Sequence, residues 1–412
     1  MSLLASLLVL IVVARLLGQV FARFNQPAVI GEMLAGIVLG PAVFGFIEPT
    51  RALTGISELA VFLVILAAGL EMRFEDIANA MKGDGLKLAA LSFLIPFFGG
   101  VAVAQAFELD AMRTVFLGLC VSITALPVAA KILENLGILH SPIGRYAIAT
   151  AVINDVAAMM VLGVVLALPP EPTFMGVASS ASIALAKLLA LGGLVLALNR
   201  GLAILEEKGV NVQAIPERLI RWFGTEALFG IVVLFVLVFG TVSEILGFHF
   251  IIGAFFGALL LDKRHFLASR YNELKQTLGA VTGGFLAPVF FAVLGLEFDV
   301  DAFLEPEFVI AVLGVSIITK ILAGWWGGRL VNMTSREALG LGCILNGRGV
   351  MELVVASIAY QKGFIGPTMF STLVLMGVVT TLLTPWLFAK AMPKDVLAAY
   401  RDTRNGATPP AA

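Results

Sequence analysis

The sequence is poor in charge, cysteine and histidine. Asp, Glu, Lys and Arg make up 13% of the 412 residues and hydrophobic residues make up 59%, whereas about 25% of a soluble domain is charged. The formal net charge of −1 also argues against a nucleic-acid-binding surface, which is basic. These shortages exclude an ordinary soluble domain and predict an integral membrane protein.

The sequence does not indicate catalysis or metal binding, which need clustered reactive or metal-ligating side chains. The two cysteines, Cys120 and Cys343, lie inside apolar stretches without metal-ligand spacing, and we interpret them as small buried hydrophobic residues. The sequence has no Ser/His dyad, no His-Glu-x-x-His motif and no paired catalytic aspartates. We therefore expect no enzyme activity, no resident metal and no cofactor.

Long apolar stretches occupy most of the chain. About thirteen are long enough, or nearly long enough, to span a bilayer, and stretches this long and uniform form helices rather than barrel strands. The predicted fold class is therefore an all-α integral membrane protein with about thirteen transmembrane helices. The approximate limits of the stretches are 2–21, 27–47, 54–72, 86–107, 112–133, 141–168, 178–199, 225–247, 249–262, 276–296, 308–330, 338–361 and 368–391.

The basic residues indicate how the chain lies in the bilayer. With the N-terminus outside and the C-terminus cytoplasmic, most of the 27 Lys and Arg residues fall in cytoplasmic loops or in the tail, in agreement with the positive-inside rule. The outer loops then hold only Arg51, Arg113 and Lys362. This orientation requires an odd number of spans.

Thirteen spans divide into six, one and six. The single linking helix inverts the second set of six relative to the first, which is the arrangement of inverted-repeat transporters. We therefore expect a first six-helix repeat at 1–168, a linking helix and cytoplasmic loop at 169–224, a second six-helix repeat at 225–392 and a cytoplasmic tail at 393–412.

Helix breaks are expected at equivalent places in the two repeats. The fifth span of the first repeat contains Pro127, which cannot donate a hydrogen bond to the carbonyl of Ile123. The fifth span of the second repeat contains Gly347 and Gly349 at mid-depth. Either break alone is compatible with an ordinary kink. Paired interruptions of this kind are the best sequence indication of a transport site.

Asp155 is the residue that indicates function most strongly. It lies about fourteen residues into the apolar stretch 141–168, at a depth where a charged side chain costs roughly 2.5–3.5 kcal/mol and faces a cavity or a partner. Adjacent helix residues point about 100° apart, so we expect Asp155 to face the cavity and Asn154 to orient a neighbour or a broken backbone. Backbone carbonyls of the break, with the hydroxyls of Ser122 and Thr124, would complete an oxygen-rich site for a proton or an alkali cation.

Three further charges fall at a similar depth. Lys320 is expected either to tune the site or to act as a structural counter-ion. Arg348 and Glu352 are four residues apart on one helix, so they can pair with each other, and Glu352 can also offset the positive end of the half-helix after the glycine break. The alternative to an exchange site is a fixed salt bridge from Asp155 to Lys320 or Arg348.

The chain resembles the cation:proton antiporter-2 superfamily, which includes Kef-type potassium efflux transporters, bacterial sodium/proton antiporters and plant cation/proton exchangers. The similar stretches run through nearly the whole chain, and their combination is what makes the resemblance specific. They are the second-span segment 26–41, the Gly-Leu-Glu segment 66–71, the unwound-helix motif 122–127, the ion-site pair Asn154-Asp155, the mid-membrane Lys320 and the segment 346–353, which is closest to the plant-exchanger form.

The resemblance implies a secondary active K+ or Na+/proton antiporter of a bacterial inner membrane. It implies a homodimer in which a scaffold holds a mobile core with crossed broken helices, and ion exchange through an elevator-like movement of that core. Lipid and the transported ions would be its ligands, nucleic acid would not be a partner, and any regulatory subunit would be a separate chain.

One departure from the resemblance bears on stoichiometry. Electrogenic relatives carry Asp-Asp at the ion site and pair the lysine with the first Asp, but here the first position is Asn154. We therefore expect electroneutral exchange. A cation channel, a non-transporting sensor subunit and a solute:cation symporter on a similar scaffold are the alternatives.

Overall fold

The computed structural model describes residues 2–24, 26–71, 83–139, 141–167, 174–208, 213–224 and 227–392. Within these ranges the chain is helical and contains no β-strand. The expected tail at 393–412 lies outside the described residues. The helices are α1 (Leu3–Arg23), α2 (Ala28–Leu39), α3 (Arg51–Glu71), α4 (Asp84–Ala106), α5 (Ala111–Ser122), α6 (Leu126–Asn135), α7 (Pro142–Leu166), α8 (Phe174–Glu207), α9 (Ala214–Phe223), α10 (Ala227–Ile245), α11 (Phe250–Ala258), α12 (Ala268–Val281), α13 (Ala287–Leu296), α14 (Pro306–Leu330), α15 (Ser335–Leu345), α16 (Val350–Gln361) and α17 (Pro367–Ala391).

The all-helical membrane fold is confirmed, whereas the expected count of thirteen spans is not. In the described part of the chain, 10 helices are long and apolar enough to cross a membrane, and up to 11 if the bent pair α15 and α16 is one span. Two of the expected stretches contain helices that are too short. The stretch 27–47 holds only α2, with 12 residues, because the helix ends before Gly40, and 249–262 holds only α11, with 9 residues.

Two compact units appear among the described residues, and each draws on both halves of the sequence. The first unit comprises residues within 1–50, 76–158 and 291–412, and the second comprises residues within 51–75 and 159–290. The predicted division at 1–168, 169–224, 225–392 and 393–412 is based on internal repetition of the sequence. The two compact units are defined by contacts and do not test it, so it stays a prediction.

The second unit is joined by hydrogen bonds between distant parts of its sequence. Tyr271 donates to the carbonyl of Leu70 at 2.8 Å, and the ammonium of Lys187 donates to the carbonyl of Leu246 at 2.9 Å. Lys187 therefore satisfies a carbonyl at the C-terminal end of α10, where the helix would otherwise lack a donor.

The first unit contains close helix crossings at glycine. A Cβ added to Gly324 on α14 would collide with the backbone of Gly342 on α15. Small residues permit this kind of backbone approach between membrane helices. The crossing holds the helix that carries Lys320 against one of the two broken segments.

In both broken segments, the helix that precedes the break begins with a side-chain cap. Asp110 accepts a hydrogen bond from the N–H of Arg113 at the start of α5, and Thr334 forms a capping box with Glu337 at the start of α15. The helices that follow the breaks, α6 and α16, begin without a side-chain cap. The polar groups of the two breaks must therefore find partners elsewhere in the unit.

Candidate functional site

The two helix breaks meet in the first unit. The N–H of Ala125, in the α5–α6 break, donates to the carbonyl of Gly347, in the α15–α16 break, at 2.9 Å. The hydroxyl of Thr124 donates to the carbonyl of Leu345 at 3.1 Å. Residues more than two hundred positions apart are thus joined backbone to backbone, and the crossed broken helices are present in this structure.

The first break lies slightly upstream of the position that Pro127 suggested. The chain leaves the helix at Ile123 and re-enters at Leu126, so Pro127 is in the first turn of α6. A missing N–H has no consequence there, because the first turn of a helix has no internal acceptors for its N–H groups. In the second break, Gly349 is extended, with φ of −178°.

Arg348 closes the C-terminal end of α5. Its guanidinium donates to the carbonyls of Cys120 at 2.6 Å, Val121 at 2.6 Å and Ile123 at 2.7 Å, and the residue is 1% exposed. The last carbonyls of a helix lack internal partners and carry the negative end of the helix dipole. One cation from the second break therefore neutralises the broken end of the first.

Lys320 serves the same broken end from α14. Its ammonium donates to the carbonyl of Ser122, to the hydroxyl of Thr124 at 2.7 Å and to the carbonyl of Ser92 at 3.1 Å. It is fully buried, and these three bonds use all three of its donors. No ion pair within 4.0 Å joins it to Asp155, although the two charges interact over a longer distance.

Arg348 and Glu352 also pair with each other, but at long range. Arg348 Nε and Glu352 Oε2 are 3.8 Å apart, and both side chains are fully buried. Neither carboxylate oxygen of Glu352 accepts a hydrogen bond. The pairing expected from their spacing is therefore present as a Coulombic contact, while the guanidinium donors of Arg348 go to α5.

Asp155 and Asn154 lie on α7 and are both buried, at 1% and 0% exposed. The amide of Asn154 donates to the hydroxyl of Ser92 at 3.1 Å, and the carbonyl of Ser92 accepts from Lys320. Asn154 thus positions a residue that holds Lys320. Asp155 Oδ1 accepts no hydrogen bond.

The structure adds residues that the sequence did not single out. Ser92 links Asn154 to Lys320, and nothing in the spacing within α4 marks it. Thr381 on α17 accepts from the N–H of Arg348 at 3.1 Å and donates to its carbonyl at 2.9 Å, which fixes the backbone of the second break. The hydroxyl of Ser122, by contrast, donates within its own helix to Leu119 at 2.7 Å.

A small cavity of the same unit adjoins the second break. Its lining includes Pro27, Ile30, Met33, Arg348, Gly349 and Thr381. The start of α2, the second break and α17 therefore border the same cavity.

Residues 7–389 match the model of the family described as sodium/hydrogen exchanger, transmembrane. The chain belongs to this family. A solved structure of the sodium proton antiporter MjNhaP1 from Methanocaldococcus jannaschii has the same fold, with a TM-score of 0.70, 18% identity and coverage of 97% of this chain and 99% of that chain.

Several curated relatives match over most of the chain. It is 24% identical to an Na(+)/H(+)-K(+) antiporter of Bacillus cereus, over 90% of this chain and 91% of that protein. It is 28% identical to an Na(+)/H(+) antiporter of Enterococcus hirae, over 95% and 98%. It is 30% identical to cation/H(+) antiporter 20 of Arabidopsis thaliana over 96% of this chain, but spans only 48% of that plant protein.

Proposed function

We propose that this chain exchanges a monovalent alkali cation, K+ or Na+, for a proton, with Asp155 as the group that binds each in turn. Asp155 is a buried carboxyl with an unbonded oxygen, in the same unit as the crossed helix breaks. Its family and the names of its relatives support antiport of this class. Ionisable residues inside a membrane protein are expensive and are usually functional.

The exchange we propose is electroneutral. One carboxylate can be neutralised by one proton or by one monovalent cation, and Asn154 provides no second acid beside it. All three partners of Lys320 accept hydrogen bonds, and the Thr124 hydroxyl already uses its own proton on Leu345. Loss of a proton from Lys320 would therefore leave one of these buried acceptors without its donor. We infer that Lys320 keeps its charge throughout the cycle.

The arrangement in the membrane is also part of the proposal. The distribution of Lys and Arg supports an N-terminus outside and a C-terminus in the cytoplasm of a bacterial inner membrane. A homodimer with an elevator-like movement of the core is what the family resemblance implies. Within the described residues, helix breaks that bond to each other rather than to lipid suit a core that moves as one body.

Reconstitution into liposomes tests the function directly. Purified protein is assayed with an internal pH dye while K+, Na+, Li+ and Rb+ gradients are imposed in turn. We expect proton movement coupled to K+ or Na+ in the wild type and in Asp301→Asn, which alters an exposed aspartate. Asp155→Asn should abolish the coupled flux while the protein stays folded. More than a small residual exchange in Asp155→Asn contradicts the assignment.

The same vesicles separate the alternatives. A cation channel would carry the cation down its gradient without coupled proton flux. A solute:cation symporter would show ion uptake only when its solute is present, and a sensor subunit would show neither flux. Proton flux that depends on the cation gradient, and cation flux that depends on the pH gradient, identifies the antiporter.

A further inference from the structure

Asn346 has a buried side chain without partners. It caps the C-terminal end of α15, it is 0% exposed, and neither Nδ2 nor Oδ1 makes a hydrogen bond. A buried polar group without a partner destabilises the folded protein, because it has lost its hydrogen bonds to water and gained none in return. Such groups are rare, and each one calls for an explanation, such as a water or an ion that binds there.

The backbone on both sides of Asn346 is fixed at the crossing. The carbonyl of Leu345 accepts the hydroxyl of Thr124, and the carbonyl of Gly347 accepts the N–H of Ala125. The amide therefore belongs to the point where the second break contacts the first. The backbone of Asn346 cannot leave that point without loss of both contacts.

The backbone carbonyls of the first break are already engaged. Those of Cys120, Val121 and Ile123 accept from Arg348, and that of Ser122 accepts from Lys320. An alkali cation binds through several oxygens that replace its hydration shell. The guanidinium and the ammonium bonded to these four carbonyls repel a further cation, so the coordination of a transported cation depends on oxygens of other groups.

The buried oxygens that accept no hydrogen bond are few. Among the described residues of α7 and the second broken segment they belong to five side chains: Thr150, Asn154, Asp155, Asn346 and Glu352. Three of these side chains stand on α7, and Glu352 faces the nearby charge of Arg348. Asn346 is the neutral member that the second break supplies at the crossing.

We propose that the amide oxygen of Asn346 is a ligand of the transported cation and helps to set the selectivity among alkali cations. This inference rests on the proposed exchange at Asp155. A neutral oxygen adds coordination without adding charge, so the one-for-one charge balance with Asp155 is kept. A proton on Asp155 needs no such ligand. Asn346 should therefore affect the cation half of the cycle and leave the proton half unchanged.

Transport kinetics provide the first test. Asn346→Ala and Asn346→Leu are compared with the wild type and with Thr372→Val, whose buried hydroxyl bonds only within its own helix. At fixed pH we expect the KM for the transported cation to rise at least tenfold in both Asn346 variants, with altered ratios among K+, Na+, Li+ and Rb+. The dependence of the maximal rate on pH should match the wild type. Unchanged cation KM values and ratios would overturn the inference.

Thermal unfolding provides a second test that does not need flux. Without alkali cation, in a choline buffer, Asn346→Leu should unfold at the temperature of the wild type or above it, since an unpartnered amide is removed. Added K+ or Na+ should raise the unfolding temperature of the wild type and of Thr372→Val, because a ligand stabilises the state it binds. The Asn346 variants should lose most of that rise.

The two tests distinguish this inference from the proposed function. A wild type that exchanges ions, with Asn346 variants that bind cation as well as it does, refutes the role of Asn346 alone. A lower unfolding temperature of Asn346→Leu in choline, with the cation-induced rise retained, assigns the amide a structural role and also refutes it. A wild type with neither exchange nor cation-induced stabilisation refutes the proposed function, and the inference with it.

Discussion

Arg348→Met should weaken the protein far more than the loss of one surface charge would. The guanidinium of Arg348 supplies three hydrogen bonds to α5 carbonyls and is also the cation nearest to Glu352. Methionine is of similar length and apolar, so the substitution removes donors and charge without a large cavity. Three carbonyls at a broken helix end and one buried carboxylate then lose their partner.

The size of the effect follows from these contacts. A hydrogen bond to a charged group contributes about 1.5–3 kcal/mol, so three would contribute roughly 5–9 kcal/mol if they were additive. Hydrogen bonds between membrane helices are weaker, with an average of about 0.6 kcal/mol, because helices that come apart in lipid find other partners. With the membrane value, the loss of three bonds lowers the free energy of unfolding by at least about 2 kcal/mol. The buried charge of Glu352, left without its partner, increases this loss.

Arg329→Met is the matched control. Arg329 also donates to a carbonyl near a helix end, that of Met333 at 2.8 Å, but it makes one such bond and is exposed. Unfolding of both variants is followed in mixed micelles of rising SDS content, and the free energies are compared with the wild type. We expect a loss of at least about 2 kcal/mol for Arg348→Met and less than about 1 kcal/mol for Arg329→Met. Equal losses would refute the role assigned to the α5 carbonyls.

Two further predictions concern charge. Asn154→Asp places a second acid beside Ser92 and Lys320, so exchange should become sensitive to an imposed membrane potential, while exchange by Asn154→Ala should stay insensitive. The equilibrium ion ratio in proteoliposomes, with and without the potential, measures this sensitivity. An ion ratio of Asn154→Asp that does not change with voltage would contradict the prediction. Burial raises the pKa of Glu297, just beyond the end of α13, from 4.5 to about 7. The folded state therefore holds a proton that the unfolded state releases, so stability is lost as pH rises through this window. Glu297→Gln should flatten the fall in unfolding temperature between pH 4.5 and about 7. The exposed Glu305→Gln is the control, and an equal slope in wild type and Glu297→Gln would count against this reading.

The fold class and the positions of the breaks could be predicted because they depend on local chemistry. Uniform apolar stretches must be helical in lipid. Gly347 and Gly349 lie in the second break, and Pro127 lies in the first turn of the helix that follows the first break, a position that proline favours. The count of spans could not be predicted as safely, since α2 and α11 end early within longer apolar stretches. Hydropathy measures apolar length, whereas the end of a helix depends on glycine and on tertiary contacts.

The partners of the charged groups were beyond the reach of the sequence. Lys320 and Arg348 were expected to act on carboxylates, but three bonds of Arg348 and one of Lys320 go to backbone carbonyls at the end of α5. Which carbonyls a broken helix exposes, and which distant side chain reaches them, depends on three-dimensional packing. Ser92 and Thr381 are short hydroxyl side chains without a distinctive spacing, so only the structure shows their contacts.

The asparagine at position 154 and the hydrogen bonds of Lys320 both support electroneutral exchange. With an acid at position 154, Lys320 would have a carboxylate to pair with and to exchange protons with. With Asn154, the side chain instead binds Ser92, and Lys320 is held by the Ser92 and Ser122 carbonyls and by Thr124. Its charge is then a structural part of the crossing, because it offsets the end of a helix dipole. In the proposed exchange, Asp155 is the group that changes charge as ions bind. A membrane potential contributes about 2.3 kcal/mol per elementary charge per 100 mV, and a cycle that carries the same net charge in both directions does not experience it. Exchange by this chain should therefore follow the ion gradients alone.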